Sequence, residues 1–209
     1  MVCFGASPLD HEGHQVQSLP HHDVFVGVRN QLKTEEGVRV ELNVVEGGHT
    51  MDHLALALTR WKPHLLHLYL HGQDQGDSGL LSFETEGRKE HLVEGFVLKE
   101  LLERHSSVKV VVLTVCGVGK KVGRVVATEQ RLVVGTEGKV EVEDVAAFSK
   151  LFYLALGKLN LRNVTVGDVE AEVKSANSYT SGRGRANSPQ FGVYPQVISC
   201  SIQNNCRGV

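Results

Sequence analysis

The chain has 209 residues, of which 41% are hydrophobic and 22% are charged, and its formal net charge is −2. This length and apolar content suit one globular domain with a substantial core. The near-neutral charge argues against nucleic acid as a partner, because phosphate backbones are bound by clustered Lys and Arg side chains.

The first part of the chain predicts a lead-in, a strand and a helix. Residues 1–22 are polar and rich in histidine, and we expect them to form a flexible lead-in to a single domain over residues 23–209. Polar and apolar residues alternate over 38–45, which predicts a strand. Thr50 is a good helix N-cap, and apolar residues then follow along one helical face until Pro63 ends the helix.

Two nearly continuous apolar runs come next, at residues 65–70 and 108–115. Runs of this kind are typical of parallel strands that are covered on both faces. Between them the sequence predicts a short apolar piece at 80–83 and a helix over 96–104.

The last third of the chain predicts two more strands and two more helices. A strand at 132–136 precedes an amphipathic helix over 145–155, and Thr165 caps a further helix with Asp168 in its first turn. A final strand is expected between residues 191 and 198. The alternation of strands and helices predicts an α/β sandwich of three layers around a mostly parallel central sheet.

Cysteine usage and the absence of targeting signals favour a cytoplasmic protein. The four cysteines, Cys3, Cys116, Cys200 and Cys206, form no CxxC pair, which argues against a zinc ribbon or a thioredoxin-like motif. No secretory signal and no apolar run of roughly 18 residues is present, so we expect reduced thiols and no membrane partner.

His71 and Cys116 hold equivalent positions in the predicted sheet. Each follows the carboxyl end of a buried-type strand, and each is followed by glycine. Sites in parallel sheets form outside the carboxyl ends of the strands. The two residues are separated by about one crossover connection, so their strands can be neighbours.

A Cys/His pair in this position suits acyl-transfer chemistry. A thiolate is a strong nucleophile, and an imidazole carries the proton to the leaving amine. The alternative is an unrelated strand-end histidine and an inert buried cysteine. His67 shares a strand face with His71 but no Asp or Glu lies beside them, so we expect a hydrogen-bonded core histidine at position 67 and no metal site.

Four segments in register resemble the motifs of the CHAT domain, a member of the caspase, gingipain and separase group of cysteine peptidases. The first two are LHLYLHG at 66–72 and VVVLTVC at 110–116, which are similar to the strands that end in the family's catalytic histidine and nucleophile. The other two are VVGT at 133–136 with the VEDVAAF that follows at 142–148, and PQFGVY at 189–194.

The resemblance implies a caspase-like fold and a cysteine endopeptidase that acts on protein substrates without a cofactor. Cys116 would be the nucleophile and His71 the general acid and base. The backbone N–H groups of Gly72 and Cys116 would bind the oxyanion. CHAT domains usually lie beside repeat or sensor domains, so a separate sensor or repeat-containing chain is an expected partner.

Substrate specificity is expected to involve acidic residues. Many relatives cleave after basic residues, and metacaspase-type members bind that side chain with an aspartate two residues before the nucleophile, where this chain has Thr114. The resemblance therefore points to Glu141, Glu143 and Asp144, with Asp144 favoured because it fits the family's V-x-D pattern. Alternatively, all three only favour the N-terminus of a helix.

Two other functions remain open from the sequence. The residues Tyr69 and Leu70 replace the family's small residues before the histidine, which is compatible with an inactive caspase-like interaction module. A nucleotide-binding α/β domain is the third possibility. The glycines of 117–123 are spaced GxGxxxG, which matches neither the dinucleotide-binding fingerprint nor a P-loop, so a flexible loop is expected there.

Overall fold

A computed structural model describes residues 1–8, 20–36, 41–45, 49–138, 141–159, 164–181 and 190–194. Its strands are β1 Val2–Gly5, β2 Asn43–Val44, β3 Leu65–Gln73, β4 Leu80–Glu84, β5 Glu90–Glu94, β6 Val110–Val115, β7 Leu132–Glu137 and β8 Gln190–Tyr194. Its helices are α1 His21–Thr34, α2 Met51–Trp61, α3 Gly95–Glu103, α4 Gly119–Val126, α5 Val142–Leu156 and α6 Val166–Ser181.

The central sheet is mostly parallel, as predicted. Its strand order is β2-β1-β3-β6-β7-β8, and only β8 runs antiparallel to its neighbour along this path. The strands β4 and β5 form an antiparallel hairpin that extends from the far end of β3. All carboxyl ends of the parallel strands therefore meet at one edge of the sheet.

Helices cover both faces of the sheet and complete the predicted three layers. Leu66, Leu68 and Leu70 of β3 pack on one side in a cluster with apolar residues of α2, α3 and α4. Leu65 and Tyr69 pack on the other side with residues of α1, α5 and α6. This alternation along β3 defines the two faces of the sheet.

The prediction of a flexible lead-in over residues 1–22 is wrong for the described residues at both ends of that segment. Residues 2–5 form β1, which is fully buried between β2 and β3, and α1 begins at His21. The segment Val-Cys-Phe-Gly is too short to show a periodicity by itself, but it suits a strand covered on both faces. Residues 9–19, which hold the remaining polar stretch, lie outside the described residues.

The loop predicted at 117–123 is also wrong, since α4 begins at Gly119. Two glycines in the first turns give this segment a low intrinsic helix propensity. Val122 and Val126 are fully buried against the sheet, so tertiary packing outweighs that propensity. The predicted strand at 38–45 is limited to Asn43–Val44 among the described residues, and residues 37–40 lie outside them.

The remaining predicted elements are present with shifted ends. Thr50 caps α2, where its hydroxyl accepts a hydrogen bond from the N–H of His53 at 3.2 Å. Thr165 likewise accepts from the N–H of Asp168, whose carboxylate accepts in return from the backbone N–H of Thr165. No helix among the described residues is long and apolar enough to cross a membrane.

His67 is a hydrogen-bonded core histidine, which confirms its prediction. It is fully buried, and its Nε2 shares a 2.8 Å hydrogen bond with Oγ1 of Thr114. Its Nδ1 pairs with the hydroxyl of Tyr153 on α5. Burial lowers the pKa of His67 to about 3, so the ring stays neutral near pH 7 and links the two central strands to α5.

We expect this buried ring to make the fold sensitive to acid. Below about pH 6.5 the unfolded chain protonates His67, whereas the folded chain does so only near its lowered pKa of about 3. As the pH is lowered between these two values, the free energy of unfolding should fall by about 1.4 kcal/mol per pH unit because of His67 alone.

Urea unfolding of wild-type protein and of His67→Gln at a series of pH values measures this contribution. The wild-type free energy of unfolding should fall more steeply between pH 6 and pH 4 than that of the variant. Parallel curves for the two proteins would contradict the assignment.

Candidate active site

Of the two candidate catalytic residues, His71 lies within β3 and Cys116 directly follows β6. The strands β3 and β6 are parallel neighbours, with Leu65 opposite Val110 and each successive pair in register up to Leu70 opposite Val115. His71 is the next residue of β3, where it pairs with Ser82 of β4, and Cys116 follows the last residue of β6. The predicted adjacency of the two strands is thus observed at the positions that precede His71 and Cys116.

The alternation of side chains assigns His71 to one face of the sheet. Tyr69 and Thr114 are register partners on the face covered by α1, α5 and α6. His71 lies two residues further along β3 and so belongs to that same face. Cys116 comes two residues after Thr114, in the turn that follows β6. The electrostatic interaction of Tyr69 with Cys116 agrees with this placement.

Gly72 brings the backbone after His71 close to Cys116. A β carbon on Gly72 would collide with the side chains of Val115 and Val118 on the opposite face. It would also lie 3.1 Å from the carbonyl oxygen of Cys116. Glycine is therefore required at position 72 for the two strand ends to pack this closely.

The turn that carries Cys116 is fixed by β7. The hydroxyl of Thr136 donates to the carbonyl of Val115 at 2.7 Å and accepts from its N–H at 3.2 Å. Gly117 adopts a φ of 74°, which favours glycine, and its N–H donates to the carbonyl of Gly138 at 3.1 Å. The GT pair of the VVGT motif is thereby explained, because Thr136 holds the end of β6 in place.

Cys116 and Cys3 differ in their surroundings. Cys116 is half-buried at the edge of the sheet, whereas Cys3 is fully buried within β1. Burial raises the pKa of the Cys3 thiol well above its usual range, so Cys3 is held as an unreactive thiol. Cys200 and Cys206 lie outside the described residues.

Tyr69 connects the nucleophile position with the acidic residues. Its ring is buried and lies edge-on to Phe25 of α1, with 6.4 Å between ring centroids. Burial raises the pKa of Tyr69 to about 12, with smaller contributions from Cys116, Glu143 and Glu141. The charges of these three groups therefore act on the Tyr69 hydroxyl at the carboxyl edge of the sheet.

The three predicted acidic residues occupy different environments around the start of α5. Glu141 is the residue before the helix and Glu143 lies in its first turn, and both side chains are exposed. Asp144 is only 2% exposed, and its Oδ2 is buried without a hydrogen-bond partner. Glu141 and Glu143 thus contribute to the electrostatic surroundings of Tyr69, while the Asp144 carboxylate is buried.

The hairpin beside His71 was only partly predicted from the sequence. Beyond Leu70, β3 pairs with β4, where Ser82 lies opposite His71 and Leu81 opposite Gly72. The strand β5 was not predicted, because Glu90–Glu94 alternates weakly and has a single buried residue, Val93. No group of three or more His, Cys, Asp or Glu residues in the described parts of the chain could hold a metal ion.

Comparison with solved structures identifies the architecture. The initiator caspase Dronc of Drosophila matches with a TM-score of 0.53 and 12% sequence identity, over 93% of this chain and 78% of the caspase chain. The chain has a caspase-like fold. No protein-family model and no curated protein sequence matches the chain.

The different burial of the described thiols predicts selective alkylation. Cys116 should react with iodoacetamide roughly tenfold or more faster than Cys3 at neutral pH, because its thiol reaches solvent whereas that of Cys3 is fully buried. We also expect Cys116 to react faster than Cys200 and Cys206.

Peptide mass spectrometry of briefly labelled native protein measures the four rates. Labelling after denaturation serves as the control, since all four thiols should then react alike. Equal rates in the native protein would contradict the assignment of Cys116 as an activated thiol.

Proposed function

We propose that this protein is a cysteine endopeptidase that cleaves protein substrates with Cys116 and His71. The observation that carries the proposal is the register of β3 and β6, which ends at the pair Leu70 and Val115, directly before His71 and Cys116 at the carboxyl edge of the sheet. The caspase-like fold supports it, because the pair occupies the edge where parallel sheets form their sites.

The reaction follows from the chemistry of the pair. The Cys116 thiolate attacks the scissile carbonyl, and the backbone N–H groups of Gly72 and Cys116 stabilise the resulting oxyanion. His71 gives a proton to the leaving amine, which leaves a thioester on Cys116. A water molecule, deprotonated by His71, then hydrolyses the thioester and restores the thiol. These steps require no cofactor.

The assignment to CHAT-like peptidases, within the caspase-like fold, is part of the proposal. The four motif segments support a CHAT-like peptidase that acts in the cytoplasm with a separate sensor or repeat-containing chain as its partner. Thr136 and Gly72 support it further, since both are motif residues with a defined packing role next to Cys116.

Glu141, Glu143 and Asp144 are the proposed residues for a basic side chain of the substrate. The exposure of the two glutamates and their interaction with Tyr69 favour them as the outer part of such a pocket. The unpaired Oδ2 of Asp144 supplies a buried acceptor at the same helix start. The helix N-terminus alone would also favour all three carboxylates.

An inactive interaction module is the second candidate, and Tyr69 is the residue that favours it. Its bulky ring fills the face below Cys116, where the family has a small residue. Nucleotide binding has less support, because a β carbon on Gly119 would meet the backbone of Thr136 at 2.6 Å and so the start of α4 is packed against β7.

Substitution of the pair tests the proposal. Cys116→Ala should abolish cleavage of a peptide library, and His71→Ala should slow it by something on the order of 10²–10⁴-fold. Cys3→Ala is the matched control, because it removes a thiol away from the site and should retain activity. A wild-type protein that cleaves nothing and shows no selective alkylation of Cys116 would favour the inactive module.

The role of the acidic residues is tested by measuring which substrate residue the protein prefers directly before the cleaved bond. Wild-type protein should prefer Lys or Arg there, and Asp144→Asn should weaken that preference roughly tenfold or more, because a buried cation needs a charged partner. Glu141→Gln and Glu143→Gln run in parallel show which carboxylate contributes. An apolar preference in the wild type, or an unchanged preference in Asp144→Asn, would contradict the assignment of Asp144.

A further inference from the structure

The segment that carries His71 pairs with a different strand from the rest of β3. Up to Leu70, β3 is held by β6, but residues 71–73 pair with β4 of the hairpin instead. The position of the His71 side chain relative to Cys116 therefore depends on how firmly the hairpin holds this end of β3.

Glu90 of β5 fastens the hairpin to that end of β3. Its Oε1 accepts a hydrogen bond of 2.7 Å from the hydroxyl of Ser82 on β4. The same oxygen accepts one of 3.3 Å from Nε2 of Gln73 on β3. One carboxylate thus joins three strands, and hydrogen bonds to a charged acceptor are stronger than neutral ones.

The two residues bound by Glu90 are neighbours of His71 in the sheet. Ser82 is directly opposite His71 in the antiparallel register, and opposite residues place their side chains on one face. Gln73 follows His71 by two residues and shares that face. Ser82 is fully buried and Glu90 is partly buried, so the link between them is partly shielded from competing water.

We propose that Glu90 is a positioning residue, which acts through Ser82 and Gln73 to hold the His71 imidazole beside Cys116. The Ser82 hydroxyl has one proton, which it donates to Glu90, so its oxygen can only accept from other groups. Ser82 is thereby set as an acceptor on the side of His71. The inference rests on the proposed peptidase function.

The rate at which iodoacetamide alkylates Cys116 reports on the pair without a known substrate. The proposed pair transfers the Cys116 proton to His71, so loss of correct placement should slow alkylation. The proteins to compare are wild type, Glu90→Ala, Glu90→Gln, His71→Ala and the double variant. Glu94→Ala is the matched control, since Glu94 is an exposed carboxylate on the same strand without a side-chain capping bond.

We expect His71→Ala to slow alkylation at pH 7 roughly tenfold and Glu90→Ala to slow it about threefold or more. Glu90→Gln should recover part of the rate, because its amide oxygen can still accept from Ser82. In the His71→Ala background, Glu90→Ala should have no further effect, since residues that act through one another are not additive. Glu94→Ala should match the wild type.

The outcomes separate this inference from the peptidase proposal. No effect of His71→Ala would overturn the catalytic pair, and the inference with it. An effect of His71→Ala with none of Glu90→Ala, or with the two effects additive, would overturn the inference alone. If Glu90→Ala does not fold, Ser82→Ala breaks the same link, and the cycle with His71→Ala is repeated with it under the same criteria.

Discussion

The parallel pairing of β3 with β6 is the constraint on which the rest of the structure depends. Both strands are fully buried along their paired length, so their backbone groups can be satisfied only by each other and by β1 and β7. A parallel pair of this kind needs helices on both faces. The three layers, the crossovers and the common edge for His71 and Cys116 all follow from it.

The sequence is informative wherever burial imposes a pattern. The strands β3 and β6 are continuous apolar runs, and α2 and α5 have apolar residues at helical spacing, so these elements could be predicted. The elements β1 and α4 could not be predicted with the same rules. The strand β1 is too short to show a period, and α4 forms because Val122 and Val126 are buried, despite the glycines beside them.

The candidate site likewise contains some residues that the sequence indicates and others that it does not. His71 and Cys116 could be proposed from the sequence because each follows a buried-type apolar run and precedes a glycine. The burial of Asp144 could not be predicted, since it depends on how α5 sits over the sheet. Glu90 gives no signal either, because its partners Ser82 and Gln73 are brought to it only by the register of two antiparallel pairings.

The place of β1 in the sheet has a consequence for the order in which the chain can fold. Val2 pairs with Asn43 on one side and with Leu66 on the other, so this first strand has no neighbour until distant segments have been synthesised. Contacts between residues so far apart in the sequence slow folding, because a large loop must close before they form. During that interval Val2, Cys3 and Phe4 are exposed on a strand with two open edges, which is a risk of aggregation that a chaperone would reduce.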